Sequence, residues 1–489
     1  MLMRHYRFRL LSVLILMLVL SLPAYTLAAP GAQSEQPRQL TLTILHDNDL
    51  HGHLLPFAFV ESARGSQEQP SRGGAARRAT LVRKLERSIR NPVILVDTGD
   101  IATRGPLATT YEGIADVEAM NSVGYDLAAV GNNEFKLKDG VDCSDAVGAQ
   151  SDLLQVIKRS RFAWVCANAT DSKGSLLEGV EPYIVRDFNG VRVGFLGLTT
   201  ARSASYPQTK GWSFSDPIAA AKQWIPEARK HCDALIAVTH IGVDADKILA
   251  AQTSGIDAIV GGDSHTFLYK AIEVPNLTGD RVPIVQDGAF GVDLGRFDLN
   301  LTCDEAGHWR LAGFQYALLP IDEKLLEAPD VNGELAPFLR PLQIVIGRIG
   351  AVESTPAARL RQTDQLVVDA LREQTGAELA INPGSGSDNG FFDVFRHSDV
   401  TRYDVCAILP FHDDVVIATL SGSEIQALLA SHPDMVTSGD VKGIDAAKTY
   451  HVAVVDYIAD SVYHLAKAKT QSTGRDVREV VIGYLQTRR

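Results

Sequence analysis

Five short apolar runs, each ending abruptly in Asp, His or Asn beside Gly, constrain the fold of this 489-residue chain more than any other feature. They lie between residues 40 and about 325 and read TLTILHDNDLHGH, PVILVDTGD, DLAAVGNNEF, ALIAVTHIG and IDAIVGGDSHT. Apolar runs of this length, bounded by polar turns, are typical of strands buried on both faces. Helical patterns lie between them, such as Leu81, Leu85 and Ile89 on one face. The alternation predicts an α/β sandwich.

The polar ends of these runs predict a metal centre. In α/β sheets the carboxyl ends of neighbouring strands form the ligand crevice, so the five ends are expected to converge. Their side chains could hold two metal ions about 3.5 to 4 Å apart, with Asp100 as the shared carboxylate. Each motif alone is weak, because such residues often only cap helices or close turns, but five in one chain make chance an unfavourable explanation. The seven predicted ligands are Asp49, His51, Asp100, Asn132, His240, Asp263 and His265.

The N-terminus has the pattern of a cleaved signal peptide over residues 1–28. A basic start, MLMRHYRFRL, precedes an apolar stretch and a small-residue exit that ends at Ala28. A retained membrane anchor is the alternative, although the apolar run is short for a span and breaks at Pro23. We therefore expect a periplasmic or secreted protein with no membrane association after cleavage.

Charge restricts the partners. The chain has 59 acidic and 47 basic residues and a formal net charge of −12 at pH 7. Such a protein has no general attraction for nucleic acid or anionic lipid. Any anionic substrate must be held by local cations or by metal, and we expect no nucleic-acid partner.

The chain divides into two predicted domains. The five runs place the first at residues 38–325, and the proline-punctuated stretch 326–345 is typical of a linker. A second unit, residues 346–489, contains a helical pattern, the strand-like run ELAIN, a Gly/Ser loop and the run VCAILPFHDD.

The motifs NDLHGH, GD, GNNEF, THIG and GGDSHT, followed by IVQDGAFGVDLGR, INPG and ILPFHDD, occur in an order that resembles the exported 5'-nucleotidase family of binuclear metallophosphoesterases. The resemblance covers nearly the whole chain after the leader. It implies an α/β fold with a four-layer αββα metallophosphoesterase domain, followed by a smaller α/β substrate-binding domain. It also implies two divalent metal ions, Mn²⁺, Zn²⁺ or Mg²⁺, as cofactors.

The resemblance divides the ligands between two sites. It implies that Asp49, His51, His265 and the shared Asp100 bind the first ion. The second ion would be bound by Asp100 and by the residues Asn132, His240 and Asp263. The family has a histidine at the position of Asp263, and a carboxylate there would shift the second site toward harder ions such as Mn²⁺ or Mg²⁺.

The catalytic motif departs from the family pattern. The family sequence GNHEFD is here GNNEFK, so that Asn133 replaces a histidine that stabilises the transferring phosphoryl group, and Lys136 replaces the aspartate that holds this histidine. Loss of such a group costs about 10² to 10⁴ in rate. One hypothesis is that Lys136 supplies the missing charge; the alternative is a solvated surface lysine.

The second domain keeps only part of the family's substrate site. By resemblance, Arg359 and Asn382 fall on phosphate-binding positions, whereas Ser387 stands where the family has an arginine. Phe411 and Tyr457 match the two aromatic residues that sandwich a base, although ordinary core packing is the alternative.

The family's ribose-binding aspartate position is taken by Tyr463. Carboxylate-to-diol hydrogen bonds are specific, whereas aromatic stacking is tolerant of what it stacks on. A planar group could therefore still bind by stacking, whereas the loss of the ribose contact counts against a nucleoside monophosphate as the substrate.

The resemblance implies an exported metal-dependent phosphoester hydrolase that acts on nucleotides or related small phosphoesters through metal-activated hydroxide. Two alternatives stay open at this point. The first is a catalytically impaired paralogue that binds but does not turn over. The second is a thiosulfohydrolase-like enzyme acting on a non-phosphate substrate, since those enzymes also lack the histidine.

Overall fold

A computed structural model describes residues 38–59, 68–137, 146–384 and 393–488. The predicted signal peptide (residues 1–28) and Ser387 lie outside the described residues. Crossing a bilayer takes about 20 apolar residues in a helix, and no helix in the described part of the chain meets that requirement.

The N-terminal part of the chain alternates strands and helices, as the sequence pattern predicts. The strands are β1 (Gln39–Asp47), β2 (Phe57–Phe59), β3 (Gln69–Arg72), β4 (Val93–Asp97), β5 (Leu127–Ala129), β6 (Ala163–Val165), β7 (Ala169–Asp171), β8 (Val180–Glu181), β9 (Tyr183–Phe188), β10 (Val191–Thr199), β11 (Trp212–Phe214), β12 (Ala234–His240), β13 (Ala258–Gly261), β14 (Ile272–Pro275), β15 (Arg281–Val285), β16 (Asp293–Cys303) and β17 (Trp309–Pro320). The helices are α1 (Ala75–Ser88), α2 (Pro106–Thr110), α3 (Ile114–Val123), α4 (Ala146–Arg159), α5 (Pro217–Ala228), α6 (Val243–Gln252) and α7 (Pro329–Leu339).

These strands form two main sheets. The first has the order β17-β16-β1-β4-β5-β6-β8, and the second has the order β14-β15-β13-β12-β10-β9. The run from β1 to β8 is parallel, as is the run from β15 to β10. The five sequence runs therefore become neighbouring strands, namely β1, β4 and β5 in one sheet and β12 and β13 in the other.

The two sheets pack face to face on an apolar core. Ile44 and Val96 of the first sheet and Phe195 and Val238 of the second are fully buried in one cluster. A second cluster joins the outer face of the first sheet to α1, α3 and α7, and a third joins the second sheet to α5 and α6. The predicted four-layer αββα arrangement is confirmed.

The region predicted as a linker contains α7. Val331 and Leu335 of this helix are fully buried in the cluster against the first sheet. The helix contacts α1 and α3. The linker region therefore begins as part of the N-terminal domain's helical layer.

The C-terminal part forms a smaller α/β unit with its own core, as predicted. Its five-stranded sheet has the order β22-β19-β23-β21-β24, and the pair β18 and β20 lies beside it. The strands are β18 (Val345–Arg348), β19 (Leu379–Pro383), β20 (Asp399–Thr401), β21 (Asp414–Ser421), β22 (Met435–Ser438), β23 (Thr449–Val455) and β24 (Thr470–Asp476). The helices are α8 (Pro356–Thr375), α9 (Arg402–Ile408), α10 (Gly422–Ser431) and α11 (Val477–Gln486).

A glycine in β16 makes room for a buried histidine at the end of β1. His46 pairs with Gly295 in the strand register, and its ring stacks on Tyr316 with centroids 5.8 Å apart. Burial lowers the pKa of His46 to about 3, so the ring is neutral at ordinary pH. A Cβ atom added at Gly295 would lie 2.1 Å from His46 Nε2.

We predict that Gly295→Ala destabilises the protein by about 1 to 3 kcal/mol, because the methyl group would overpack the histidine ring. Chemical denaturation with matched spectroscopic readouts measures this change. Gly313→Ala in the neighbouring strand β17 is the matched control, since a Cβ atom there meets nothing within 4 Å. Equal effects of the two substitutions would contradict the prediction.

Candidate metal centre

The seven predicted ligands lie at the carboxyl ends of five strands. Asp49 and His51 follow β1, Asp100 follows β4 and Asn132 follows β5. The other three come from the second sheet: His240 is the last residue of β12, and Asp263 and His265 follow β13. Because these strands are neighbours within their sheets and the sheets pack face to face, their ends meet at one edge of the sandwich.

Five of these residues have a strained backbone. The φ angles are positive at Asp49 (51°), His51 (45°), Asp100 (59°), Asp263 (75°) and His265 (50°). Such conformations cost roughly 1 to 3 kcal/mol each and are concentrated at functional sites. These backbone conformations turn the five side chains toward one another at the edge of the sandwich.

The first group of ligand atoms contains Asp49, His51 and His265. The Nε2 atoms of the two histidines are 3.1 Å apart, and Asp49 Oδ1 lies 3.2 Å from His265 Nε2. Asp100 Oδ2 lies 3.7 Å from His51 Nε2. The four residues that the resemblance assigns to the first ion therefore lie together.

The second group surrounds His240. Its Nε2 atom lies 3.2 Å from Asp100 Oδ1, 3.8 Å from Asp263 Oδ1 and 3.9 Å from Asp49 Oδ1. The two oxygens of Asp100 thus face different groups, as a shared ligand requires. Asp49 is also placed to serve both, because its carboxylate belongs to both clusters of potential ligand atoms.

Three buried ligand atoms lack a hydrogen bond within the described part of the chain. They are Asp49 Oδ1, Asn132 Oδ1 and His240 Nε2. An unsatisfied buried polar atom is costly and calls for a partner. Since the donor set combines carboxylate, amide and imidazole groups, it fits divalent metal ions.

Electrostatics at the centre depend on the carboxylates. Burial opposes ionisation of Asp100, but His240 outweighs this and holds the Asp100 pKa well below its usual range. Burial likewise opposes the charge on His240, yet Asp100 and Asp49 raise its pKa well above the ordinary value. Burial lowers the pKa of His51, and the nearby Arg104 lowers it further. The pKa values of Asp100 and His240 are therefore shifted in the directions that favour an ion pair between them.

Hydrogen bonds behind the ligands orient them. Asn48 Nδ2 and the backbone N–H of Asp263 donate to Asp49 Oδ2 at 2.7 and 2.9 Å, which leaves Oδ1 facing the centre. His240 Nδ1 lies 2.9 Å from the carbonyl oxygen of Thr98, which leaves Nε2 as the nitrogen available to a metal. Partners of this kind fix the ring and its tautomer in metal sites.

Glu134, to which the sequence analysis assigned no role, ties two ligand loops together. Its carboxylate accepts hydrogen bonds from the backbone N–H groups of Asp100, Ile101 and Gly131 at 2.8, 2.8 and 2.7 Å. Burial, reinforced by Asp100, raises its pKa to about 7. Its position between two candidate catalytic residues in GNNEFK was the available sequence signal.

Asn133 is held by the shared ligand. Its backbone N–H donates to Asp100 Oδ1 at 2.7 Å, and its side-chain Nδ2 donates to Asp100 Oδ2. Lys136 has a different environment, because its Nζ atom lies 3.6 Å from the centroid of the Tyr206 ring. The two predicted catalytic residues thus contact a carboxylate and an aromatic ring, respectively.

Two residues after β10 complete the surroundings of the second group and were missed by the sequence analysis. Arg202 Nη2 lies 2.5 Å from Asp263 Oδ1, and Asn132 Nδ2 lies 3.4 Å from the Tyr206 hydroxyl. The apolar run VGFLGLTTARS, another strand with a polar end, was the signal that could have identified them.

The predicted phosphate-binding residues lie in the C-terminal unit. Arg359, in the first turn of α8, contacts Glu68 Oε2 at 2.7 Å. A second arginine that the sequence analysis missed, Arg396, contacts Glu68 Oε1 at 2.5 Å. Asn382 is buried in β19; its Nδ2 atom donates to the carbonyl oxygen of Pro383, and its Oδ1 atom has no hydrogen bond among the described residues.

The aromatic positions differ in exposure. Phe411 follows α9 and is half-buried, while Tyr457 is 52% exposed at the end of β23. Tyr463, at the position of the family's ribose-binding aspartate, is buried and packs its ring edge-on against His432. Of these three side chains, Tyr457 is the one most available for stacking.

Comparison with known proteins identifies two family matches. The calcineurin-like phosphoesterase family matches residues 42–267, and the 5'-nucleotidase C-terminal domain family matches residues 345–443. The first match lies within the N-terminal unit described above and the second within the C-terminal unit.

Similar proteins match over most of the chain. The 5'-nucleotidase of Bos taurus is 32% identical over 445 residues, which span 83% of this chain and 74% of that protein. The trifunctional nucleotide phosphoesterase YfkN of Bacillus subtilis is 29% identical over 81% of this chain, which spans only 28% of that longer protein. The crystal structure of a 5'-nucleotidase precursor from Thermus thermophilus is 25% identical and superposes with a TM-score of 0.70, covering 92% of this chain and 96% of that one.

We predict that the wild-type chain binds two Mn²⁺ ions and that Asp100→Asn binds at most one, with more than tenfold lower affinity, because both groups lose a charged ligand. Isothermal titration calorimetry and elemental analysis measure affinity and stoichiometry. Asp298→Asn is the control, since this buried carboxylate in β16 pairs with Arg296. Two ions still bound tightly by Asp100→Asn would refute the shared-ligand assignment.

Proposed function

Because the chain belongs to the 5'-nucleotidase family of calcineurin-like phosphoesterases, we propose that it is an exported, metal-dependent hydrolase of nucleotides or related small phosphomonoesters. The observation that carries the proposal is the pair of ligand groups joined by Asp49 and Asp100. All seven ligand positions have side chains able to bind a metal, and most are buried.

The residues of the chain have distinct roles in this proposal. Asp49, His51, Asp100 and His265 would hold one ion, and Asp100, Asn132, His240 and Asp263 would hold the other. Divalent ions at such a site polarise the phosphoryl group and lower the pKa of water. Glu134 keeps the loops of Asp100 and Asn132 in register, and the Asn133 amide fixes the rotamer of Asp100.

The two alternatives are less well supported. Relatives that match over most of the chain include 5'-nucleotidases and a nucleotide phosphoesterase. A chain that had lost its metal chemistry would not be expected to keep three buried ligand atoms that lack a hydrogen-bonding partner among the described residues. We therefore favour phosphoester hydrolysis over a binding paralogue or a thiosulfohydrolase-like enzyme.

Substrate recognition is proposed to use two arginines. Arg359 and Arg396 are bound to different oxygens of the same carboxylate, Glu68, so that their guanidinium groups converge on one anion. Burial opposes ionisation of Glu68, but the hydrogen bond from Arg396 outweighs this and lowers its pKa. Since guanidinium groups bind phosphate as they bind carboxylate, Glu68 occupies the position that a substrate phosphate would take.

The exposed ring of Tyr457 would stack on a planar group of the substrate, with Phe411 as its proposed partner. Asn382 contributes an amide oxygen that is unsatisfied among the described residues of the same unit. Within this set, no carboxylate recognises a ribose diol, because Tyr463 is buried at that position. A base-bearing or other planar phosphomonoester is the proposed substrate class.

We predict that the mature protein releases phosphate from AMP in the presence of Mn²⁺, and that chelation with EDTA abolishes the release. A colorimetric phosphate assay measures the rate, with UDP-glucose and bis(p-nitrophenyl) phosphate as comparison substrates. Asp100→Asn should lose at least about 10²-fold in rate, since it removes the shared ligand. Metal-loaded protein without turnover on any of the three would favour the binding alternative.

We predict that Arg396→Ala raises KM for AMP about tenfold with a smaller change in kcat, because it removes one of two phosphate contacts. Glu68→Gln should lower KM, since it removes the internal anion that competes for the same arginines. Arg348→Ala is the control, as this exposed arginine of the same domain pairs with Asp399 instead. A higher KM in Glu68→Gln would show that Glu68 supports binding rather than competing with it.

A further inference from the structure

The loop that follows β5 supplies no cation to the metal centre among its described contacts. Asn133 carries a neutral amide that is engaged with Asp100, and the Lys136 ammonium lies over the ring of Tyr206. A phosphoryl group in transfer carries negative charge on three equatorial oxygens, and positioned cations beside the metals stabilise that charge. Arg359 and Arg396 are proposed to meet the substrate phosphate from the C-terminal unit. A cation beside the metal ligands must come from another element of the N-terminal domain.

The segment after β10 is placed to supply it. β10 pairs with β12 in parallel, with Thr199 beside His240, so the chain leaves β10 next to the second ligand group. A short 3₁₀ turn, Ala201–Ser205, begins there, and the Thr200 side chain caps it by accepting from the backbone N–H of Arg202 at 3.3 Å. The cap fixes where the Arg202 side chain starts.

Arg202 reaches the centre through Asp263. Its Nη2 atom lies 2.5 Å from Asp263 Oδ1, and that same oxygen lies 3.8 Å from His240 Nε2. The Arg202 side chain is 59% exposed, whereas Asp263 is 10% exposed. The carboxylate is thus the fixed partner, and the guanidinium stands on the solvent side of the ligand group.

A guanidinium has five N–H donors in a planar fork, and Asp263 and the Tyr206 hydroxyl engage only part of it. The remaining donors suit a tetrahedral oxyanion, which arginine binds in a bidentate manner. Tyr206 lies beside the same group of ligands. Its hydroxyl is 3.4 Å from Asn132 Nδ2, and its ring faces the Lys136 ammonium. These contacts place Arg202 between solvent and the second group of ligands.

We propose that Arg202 is the phosphoryl-binding cation of this centre and that Asp263 is its positioning residue. The inference rests on the proposed function for its substrate, a phosphomonoester, and specifies how that substrate's oxygens are met on the side of His240. In this arrangement the main role of Asp263 is to hold the Arg202 guanidinium rather than to bind a metal ion. This agrees with its absence from both clusters of potential ligand atoms among the described residues.

The test is the binding of inorganic phosphate to the Mn²⁺-loaded protein, measured by isothermal titration calorimetry and therefore independent of turnover. Arg202→Ala should weaken phosphate binding at least tenfold while the Mn²⁺ stoichiometry stays unchanged. Arg202→Lys should recover part of the affinity, since it keeps the charge and loses the fork.

Arg192→Ala is the matched control. Arg192 lies near the start of β10, whereas Arg202 lies just past its end, and its guanidinium pairs with Asp233 at 2.9 Å with the side chain 51% exposed. The control variant should bind phosphate as the wild type does. A comparable loss in Arg192→Ala would show a general effect of net charge and would overturn the proposal.

Asp263→Asn tests the positioning role. It should weaken phosphate binding while the Mn²⁺ stoichiometry stays unchanged, since the other proposed ligands remain. The double variant with Arg202→Ala should be no weaker than Arg202→Ala alone, because both substitutions then act through one group. Additive losses would overturn the positioning role. Phosphate binding by Arg202→Ala within twofold of the wild type, or loss of Mn²⁺ from that variant, would overturn the role of Arg202.

The outcomes separate this inference from the proposed function. If phosphate binding depends on Arg202 but the protein does not hydrolyse AMP, the proposed hydrolase function is refuted and the Arg202 phosphate site is supported. If the protein hydrolyses AMP but phosphate binding does not change in Arg202→Ala, the hydrolase function is supported and the Arg202 phosphate site is refuted.

Discussion

The burial of two carboxylates at the meeting point of two sheets is the constraint on which the rest of this structure depends. Asp49 and Asp100 are almost fully buried, and each faces imidazole nitrogens rather than a lysine or arginine among the described residues. Buried charges without compensation are very costly. His240 offsets part of this charge, and divalent metal ions, which calcineurin-like phosphoesterases bind, would offset the rest.

Much of the local structure follows from holding these carboxylates in place. The loops adopt left-handed backbone conformations at Asp49 and Asp100, which cost free energy that the surrounding sandwich must offset. Glu134 binds three backbone N–H groups from two loops, and Gly131 is required because a Cβ atom there would lie 2.4 Å from Asp100 Oδ1. The apolar core between the sheets makes this rigidity possible, since its strands carry the ligands at their ends.

The sequence predicts the parts of this design that depend on one strand at a time. The run ALIAVTH is apolar throughout most of its length and becomes β12, all seven residues of which are buried, so the position of His240 followed from the pattern. The convergence of the five strand ends followed from the same reasoning, and metal binding by these side chains stays a prediction. Contacts between side chains distant in the chain did not. Arg202 meets Asp263 across 61 positions, and Arg396 meets Glu68 across 328. Neither arginine occurs in a periodic pattern, because such pairs depend on how whole elements pack.

The hypothesis for Lys136 assumed that a cation near the motif faces the metals, whereas the 3₁₀ turn from Asn133 to Lys136 directs it to Tyr206.

The two groups of arginines share one physical logic. Arg202 is paired with Asp263 at the metal centre, and Arg359 and Arg396 are paired with Glu68 from the other domain. An unpaired guanidinium near bound metal ions would be repelled by them. A guanidinium held by a carboxylate keeps its position, because the pair carries little net charge. A phosphate dianion carries more charge than a carboxylate and offers three oxygens, so on the proposed function it would share Arg202 with Asp263 and displace Glu68. Substrate binding would then exchange an internal anion for an external one, and selectivity would depend on the difference in free energy between the two.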